Sequence, residues 1–221
     1  MFDSYCYKLY FCTKHQFCAM TENSSLNITM PKTRQLLLDV ARQLFAKMGV
    51  TNTTMNDIAT ASKKGRRTLY IYFKSKEDIY YAVVEQEMSK LVDALEVVTQ
   101  ENMAPQDKLV KYIYTHLDTI RDIVKSNGSL RADFFNDIKT VERVRRKVNV
   151  KELAMLKTII QEGVSLGIFE VENIDFAAFI LLSALNGLEV PYMKESVAIK
   201  MKERREYIVR FIFAGLFKQP I

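Results

Sequence analysis

Thr54–Lys76 reads TMNDIATASKKGRRTLYIYFKSK, and the fold follows from how this stretch is divided. Two short helical patterns flank a basic turn, Ser62-Lys63-Lys64-Gly65. Thr54 followed three residues on by Asp57 is a capping-box start, and Ile58, Ala59 and Ala61 supply apolar contacts to the first helix. That helix spans only about two turns, too few to nucleate without tertiary support. The pair is therefore predicted to be a helix-turn-helix, one helix bracing a second that enters the DNA major groove. In the second helix Leu69 and Phe73, four residues apart, point into a small core with Ile58, Ala59, Leu44 and Phe45. Arg66, Arg67, Thr68, Tyr70 and Tyr72 are left for nucleic acid.

Charge supports the same division. The chain carries +6 overall, but ten Lys or Arg lie between Pro31 and Lys76 against only Asp39 and Asp57, a local balance of +8. Met1–Met30 balances at zero, so the remainder is slightly acidic. A basic segment concentrated on one motif is the electrostatic footprint of a nucleic-acid-binding module, with a solvated basic face as the blander alternative. Upstream, Leu36, Val40, Ala41, Leu44, Phe45 and Met48 recur at helical spacing and predict a helix over Lys32–Met48. Gly49 is expected to close it in a left-handed cap.

Thr54, Asp57-Ile58-Ala59, Ala61, Thr68-Leu69-Tyr70, Tyr72-Phe73 and Ser75-Lys76-Glu77, preceded by Ala41, Leu44-Phe45 and Gly49, carry a resemblance to a known family. Across 32–79 the chain resembles the TetR family of bacterial transcriptional regulators. The resemblance implies base-edge contacts at Arg66 and Arg67, with Asn56 a further candidate. It implies phosphate contacts, or packing beside them, at Thr68, Tyr70, Tyr72 and Lys76. Thr54 at the helix start, and Lys63 and Lys64 in the turn, complete the DNA-binding set. The turn departs from the family: Lys63 stands where a glycine is usual, Lys64 for a small apolar residue, Gly65 for serine and Arg67 for a frequent glycine. DNA preference is accordingly the property least transferable from relatives.

The rest of the chain is read as helices. Ser75 caps a long helix reaching Val98 or Thr99, about 35 Å at 1.5 Å per residue, which links the motif to the body. Further helices are expected over 106–125, 149–166, 174–189 and 197–217, with an irregular stretch over 129–147. The apolar run FAAFILLSALNGLEV is short for a bilayer span and reads as a buried helix. Arg143, Arg145, Arg146 and Lys147 read as a solvated face rather than a second DNA site. The fold class is all-α: an N-terminal three-helix DNA-binding domain (30–76) and a C-terminal helical ligand-binding and dimerisation domain (77–221). Residues 1–29 are expected to be a disordered tail or an artefact of start-site choice.

Cys6, Cys12 and Cys18 all lie in that tail. With His15 they form C-x5-C-x2-H-x2-C, which lacks the paired short spacings of zinc sites, so neither metal nor other cofactor is expected. Phosphate-binding glycine loops, G-x-S-x-G and H-E-x-x-H are absent, and His116 is the one histidine outside the tail. No enzymatic activity is expected. Tyr81, Met88, Tyr112, His116, Phe134, Phe135, Met155 and Phe179 are candidates for an effector pocket, although His116 also reads as an ordinary helix histidine. The late apolar helices suit a homodimer interface through Phe179, Leu182, Leu185, Tyr207, Phe211 and Ala214. The resulting expectation is a cytoplasmic, ligand-responsive repressor that binds a near-palindromic double-stranded operator as a homodimer and is released by a small apolar or amphipathic effector. The alternative is a helical hydrophobe-binding or scaffold protein without DNA binding.

Overall fold

The computed structural model describes residues 32–126 and 138–214. The cysteine-bearing tail and the pocket candidates Phe134 and Phe135 lie outside the described residues. Every regular element among those described is an α-helix. These are α1 (Lys32–Met48), α2 (Met55–Ala61), α3 (Arg66–Tyr72), α4 (Lys76–Gln100), α5 (Pro105–Ser126), α6 (Ile138–Ser165), α7 (Ile174–Tyr192), α8 (Glu195–Glu203) and α9 (Arg205–Ala214).

Three boundaries or faces differ from the sequence reading. α6 begins eleven residues earlier than the helix expected from 149, so the described part of the stretch read as irregular, 138–147, is helical. Val144 and Val148 are buried one turn apart and continue into Met155, Leu156 and Ile159, a stripe obscured in sequence by the interleaved Arg143, Arg145, Arg146 and Lys147. The single helix expected over 197–217 is divided at Arg204, whose carbonyl accepts from the Tyr207 N–H at 3.0 Å in a local turn. On α1 the buried face is Leu37, Leu38, Ala41 and Phe45, while Leu36 and Met48 are exposed. The run Leu36-Leu37-Leu38 fits two overlapping stripes, and packing selected the one that faces α4. Gly49, at φ 83°, ends α1 in the left-handed conformation expected of it.

α4 is the element against which the others assemble. It packs on α1, α5 and α6, and α7 closes the body against α5 and α6. Its capping box is complete: the Ser75 hydroxyl accepts from the Asp78 N–H at 3.1 Å, and the Asp78 carboxylate accepts from the Ser75 N–H at 3.2 Å. Ile79, Tyr80, Val83 and Val84 are buried near its start, and Tyr80 meets Phe45 of α1 edge-to-face at 6.0 Å between ring centres. α7 reaches the length and composition of a membrane span, beyond what its central apolar run suggested. Its inner face, Ala178, Leu181, Leu182, Leu185 and Tyr192, is nonetheless packed into the helical body.

The end of α6 rests on a close approach. A Cβ at Gly163 would lie 2.0 Å from Cδ2 of Phe169, a buried ring folded back over the helix by the bond from the Phe169 N–H to the Gly163 carbonyl at 3.1 Å. Alanine at a helical position is ordinarily favoured over glycine by about 1 kcal/mol, but overpacking a filled core costs about 1–3 kcal/mol. Gly163→Ala is therefore expected to lower stability in urea denaturation. In a Phe169→Ala background the same change becomes neutral or stabilising, because the obstructing ring is gone.

Candidate nucleic-acid interface

The helix-turn-helix is built from local bonds at both ends of α2. The Thr54 hydroxyl accepts from the Asp57 N–H at 3.2 Å, while the Asp57 carboxylate accepts from the Thr54 N–H at 2.9 Å and from its hydroxyl at 2.7 Å. These hydrogen bonds hold the Asp57 carboxyl below its ordinary value. At the far end the Lys64 N–H reaches the Ala59 carbonyl at 3.0 Å and the Lys63 N–H reaches the Thr60 carbonyl at 3.1 Å. This is the paired closure of a Schellman motif, which needs a left-handed residue after the cap. Lys63 takes that role at φ 54°, a conformation costing a residue with a Cβ roughly 1–2 kcal/mol. Two satisfied carbonyls and a fixed interhelical angle offset it.

On α2, Ile58 and Ala59 are buried, but Ala61 faces solvent. On α3, Leu69 is 0% exposed and Phe73 follows it into the core, where the Arg34 guanidinium lies 5.1 Å from the Phe73 ring centre. The remaining side chains of α3 divide by face. Arg66, Arg67 and Tyr70 are exposed, as are Lys63 and Lys64 in the turn. Thr68 and Tyr72 are half-buried beside Leu69. Thr54 and Asn56 are exposed on the bracing helix, with the Thr54 hydroxyl engaged by Asp57. Lys76 differs from the rest, because its Nζ donates to the Val50 carbonyl at 2.7 Å and the Thr51 carbonyl at 3.3 Å. It ties the α1–α2 loop to the start of α4. Sequence reasoning passed over Ile71, which is 73% exposed on the outer face of α3; its helical position opposite Leu69 was the available signal.

The effector candidates among the described residues fall on α4–α7. Tyr112 and His116 of α5, Met88 of α4 and Met155 of α6 are buried, and Tyr81 and Phe179 are half-buried. Tyr81 is covered by the Arg143 guanidinium, 4.4 Å from its ring centre. None of these candidates lines the α4–α6 cleft of about 140 Å³ bordered by Glu85, Val92, Lys147 and Lys151, nor the more open one of about 640 Å³ beside Lys157 and Asp175.

His116 is the centre of a buried polar layer. Its Nδ1 lies 2.8 Å from Glu152 Oε1 of α6 and its Nε2 3.0 Å from Glu189 Oε1 of α7. Arg145 pairs with both Glu189 oxygens and donates to Asn186 Oδ1 at 3.1 Å, and the Tyr112 hydroxyl donates to the Glu152 carbonyl. Burial lowers the histidine's basicity, but the two carboxylates outweigh it and raise its pKa to about 9. Burial likewise opposes ionisation of Glu189, yet His116 and Arg145 prevail and hold it below the usual range.

Of the candidate interface residues, Tyr207, Phe211 and Ala214 are exposed and Phe179 is half-buried. Leu182 and Leu185 are interior to the protomer, packed on its own helices. The face α7 leaves uncovered holds instead Phe176, Ile180, Ala184, Gly187 and Val190.

Comparison with known proteins returns one consistent picture. Residues 37–83 match the sequence profile described as bacterial regulatory proteins, tetR family. The chain is 21% identical over 179 residues to the HTH-type transcriptional regulator QacR of Staphylococcus aureus, covering 80% of this chain and 94% of that one. A transcriptional regulator from Cytophaga hutchinsonii shares the fold with a TM-score of 0.68 at 23% identity, over 83% of this chain and 98% of that one. The SmeT–triclosan complex shares it with a TM-score of 0.62 at 18% identity, over 86% and 93%.

The buried layer makes stability depend on pH with a definite sign. A histidine whose pKa is raised on folding stabilises the fold fully below its ordinary value of 6.5, and that contribution is lost as pH rises to about 9. Urea denaturation across this window is expected to show wild-type stability falling more steeply than that of His116→Gln, which lacks the titrating group.

Proposed function

Because this chain belongs to the tetR family of bacterial regulatory proteins and is a helix-turn-helix transcriptional regulator, we propose that it is a cytoplasmic repressor. It binds a near-palindromic operator as a homodimer and lets go when a small apolar or amphipathic effector enters its helical body. The observation that carries this reading is the face formed by Lys63, Lys64, Arg66 and Arg67, all exposed around a helix anchored by the fully buried Leu69. Such a face meets a polyanion, and release of condensed counterions supplies affinity that falls steeply with salt. Arg66 and Arg67 read base edges, while Lys63, Lys64, Thr68, Tyr70 and Tyr72 grip or pack along the backbone, assisted by Thr54 and Asn56 from α2. Lys76 contributes by positioning, since its ammonium holds the loop carbonyls.

An uncovered apolar stripe supports the two-fold arrangement. Phe176 is 61% exposed on α7 and Phe211 84% exposed on α9, and a second copy of the same surface covers both. The small residues Ala184 and Gly187 let the paired α7 helices approach closely. This moves the α7 part of the interface one face round from Leu182 and Leu185.

Triclosan is bound in the SmeT complex, and by analogy the effector here is received among α4, α5, α6 and α7, close to Tyr81, Met88, Tyr112, Met155 and Phe179. α6 holds α4 through Lys147 to Glu85 at 2.8 Å and through Arg143 over Tyr81. An effector that displaces α6 therefore moves the helix on which the DNA-binding unit is mounted. Its effect is limited by its differential affinity for the two arrangements.

A gel shift with DNA from upstream of the protein's own coding sequence tests the reading directly. Arg66→Ala with Arg67→Ala is expected to weaken specific binding by about 1–3 kcal/mol per arginine and nonspecific binding far less; unchanged operator preference would refute the assignment. Phe211→Glu is expected to shift the sedimenting species from dimer to monomer and to weaken operator binding with it. A variant that remained dimeric would rule out this interface.

A further inference from the structure

We propose that Ile71 is a specificity-determining residue that reads the C5 methyl group of a thymine, about one to two base pairs from the base met by Arg67. The inference rests on the DNA-binding reading above and extends it to a residue outside the arginine pair. Ile71 is 73% exposed, on the side of α3 opposite the buried Leu69, and Arg67 lies one turn before it on that same side. The four-residue separation is about 6 Å along the helix axis, slightly less than two base steps of about 3.4 Å.

Lone exposed apolar residues are common on protein surfaces and need no explanation. Ile71 differs in its setting. It shares the exposed surface of the motif with the cations Lys63, Lys64, Arg66 and Arg67, a surface that repels a second copy of itself and is complementary to a polyanion. Among the edges a polyanionic duplex presents in its major groove, the thymine methyl is the apolar feature that an aliphatic side chain recognises. β-Branching restricts Ile71 to few rotamers, so ordering it against the base loses little entropy. An exposed isoleucine at the reading face is thus matched to a partner in both shape and polarity.

The test begins by selecting duplexes from a random pool with the full chain. Failure to recover any consensus would overturn the DNA-binding reading itself, separately from this proposal. On the recovered operator, each thymine in a half-site is then replaced by deoxyuridine, which removes only the methyl group. The wild type is expected to lose affinity about fourfold at one such thymine, the effect of exposing one methyl-sized apolar group. Ile71→Ala is expected to bind the thymine and deoxyuridine duplexes equally at that position and to keep the wild-type salt slope, since no phosphate contact is removed. Alanine at an exposed helical position favours folding, so the variant remains measurable. The proposal fails if no thymine shows the loss, if Ile71→Ala discriminates thymine from deoxyuridine as the wild type does, or if the salt slope falls.

Discussion

Everything in this protein depends on how two helices too short to stand alone are fastened to one long one. α2 and α3 have seven residues each, below the length at which hydrogen bonding offsets the cost of nucleation. Their order comes from outside: Leu69, Phe73, Ile58 and Ala59 join Leu37, Leu38, Ala41 and Phe45 of α1 in one core, and α1 is locked to α4 by Phe45 on Tyr80. Polar ties reinforce the junction. Lys76 at the head of α4 holds the carbonyls of the α1–α2 loop, and Glu87, nearly buried on α4, faces Arg42 of α1 at 3.6 Å and Lys90 at 2.8 Å. The recognition surface is therefore placed by α4 and moves with it.

The body below is tied to the same helix by different chemistry. α6 reaches α4 with exposed cations, Arg143 and Lys147, over the Tyr81 ring and onto Glu85. Exposed contacts of this kind contribute little individually. The same helix faces inward with Arg145 and Glu152, which join the buried layer around His116 and Glu189. There two carboxylates are balanced by an imidazolium and a guanidinium, so burial of the set is tolerable, whereas removing any one member strands a charge in an apolar interior. α6 thus combines a buried, ion-paired inner face with exposed contacts on its outer one.

The sequence was most legible where local chemistry decides structure. The capping box at Thr54 and the cap at Ser75 are visible in the sequence and form as read, because their bonds run between residues three apart; the reciprocal bond between Asp78 and Ser75 is added by the structure. The left-handed turn at Lys63 was marked only indirectly, as the position where the resembled family usually has glycine, and the backbone takes that conformation at φ 54°. It was least legible where two stripes compete. Leu36-Leu37-Leu38 admits more than one buried face, the basic residues of α6 mask Val144 and Val148, and α7 is apolar almost all round, so its outward residues had no distinguishing mark.

Sequence alone therefore determined the helical class, the helix-turn-helix, its basic charge and the placement of Leu69 against the arginines, all consequences of short-range spacing and composition. Tertiary structure alone decided which residues are already spent. Lys76 donates to loop carbonyls, Leu182 and Leu185 fill the protomer core, and His116 sits between Glu152 and Glu189, 36 and 73 residues away in the chain. Partners at such separations leave no periodic trace, because packing chooses them by distance in space and not by position along the helix.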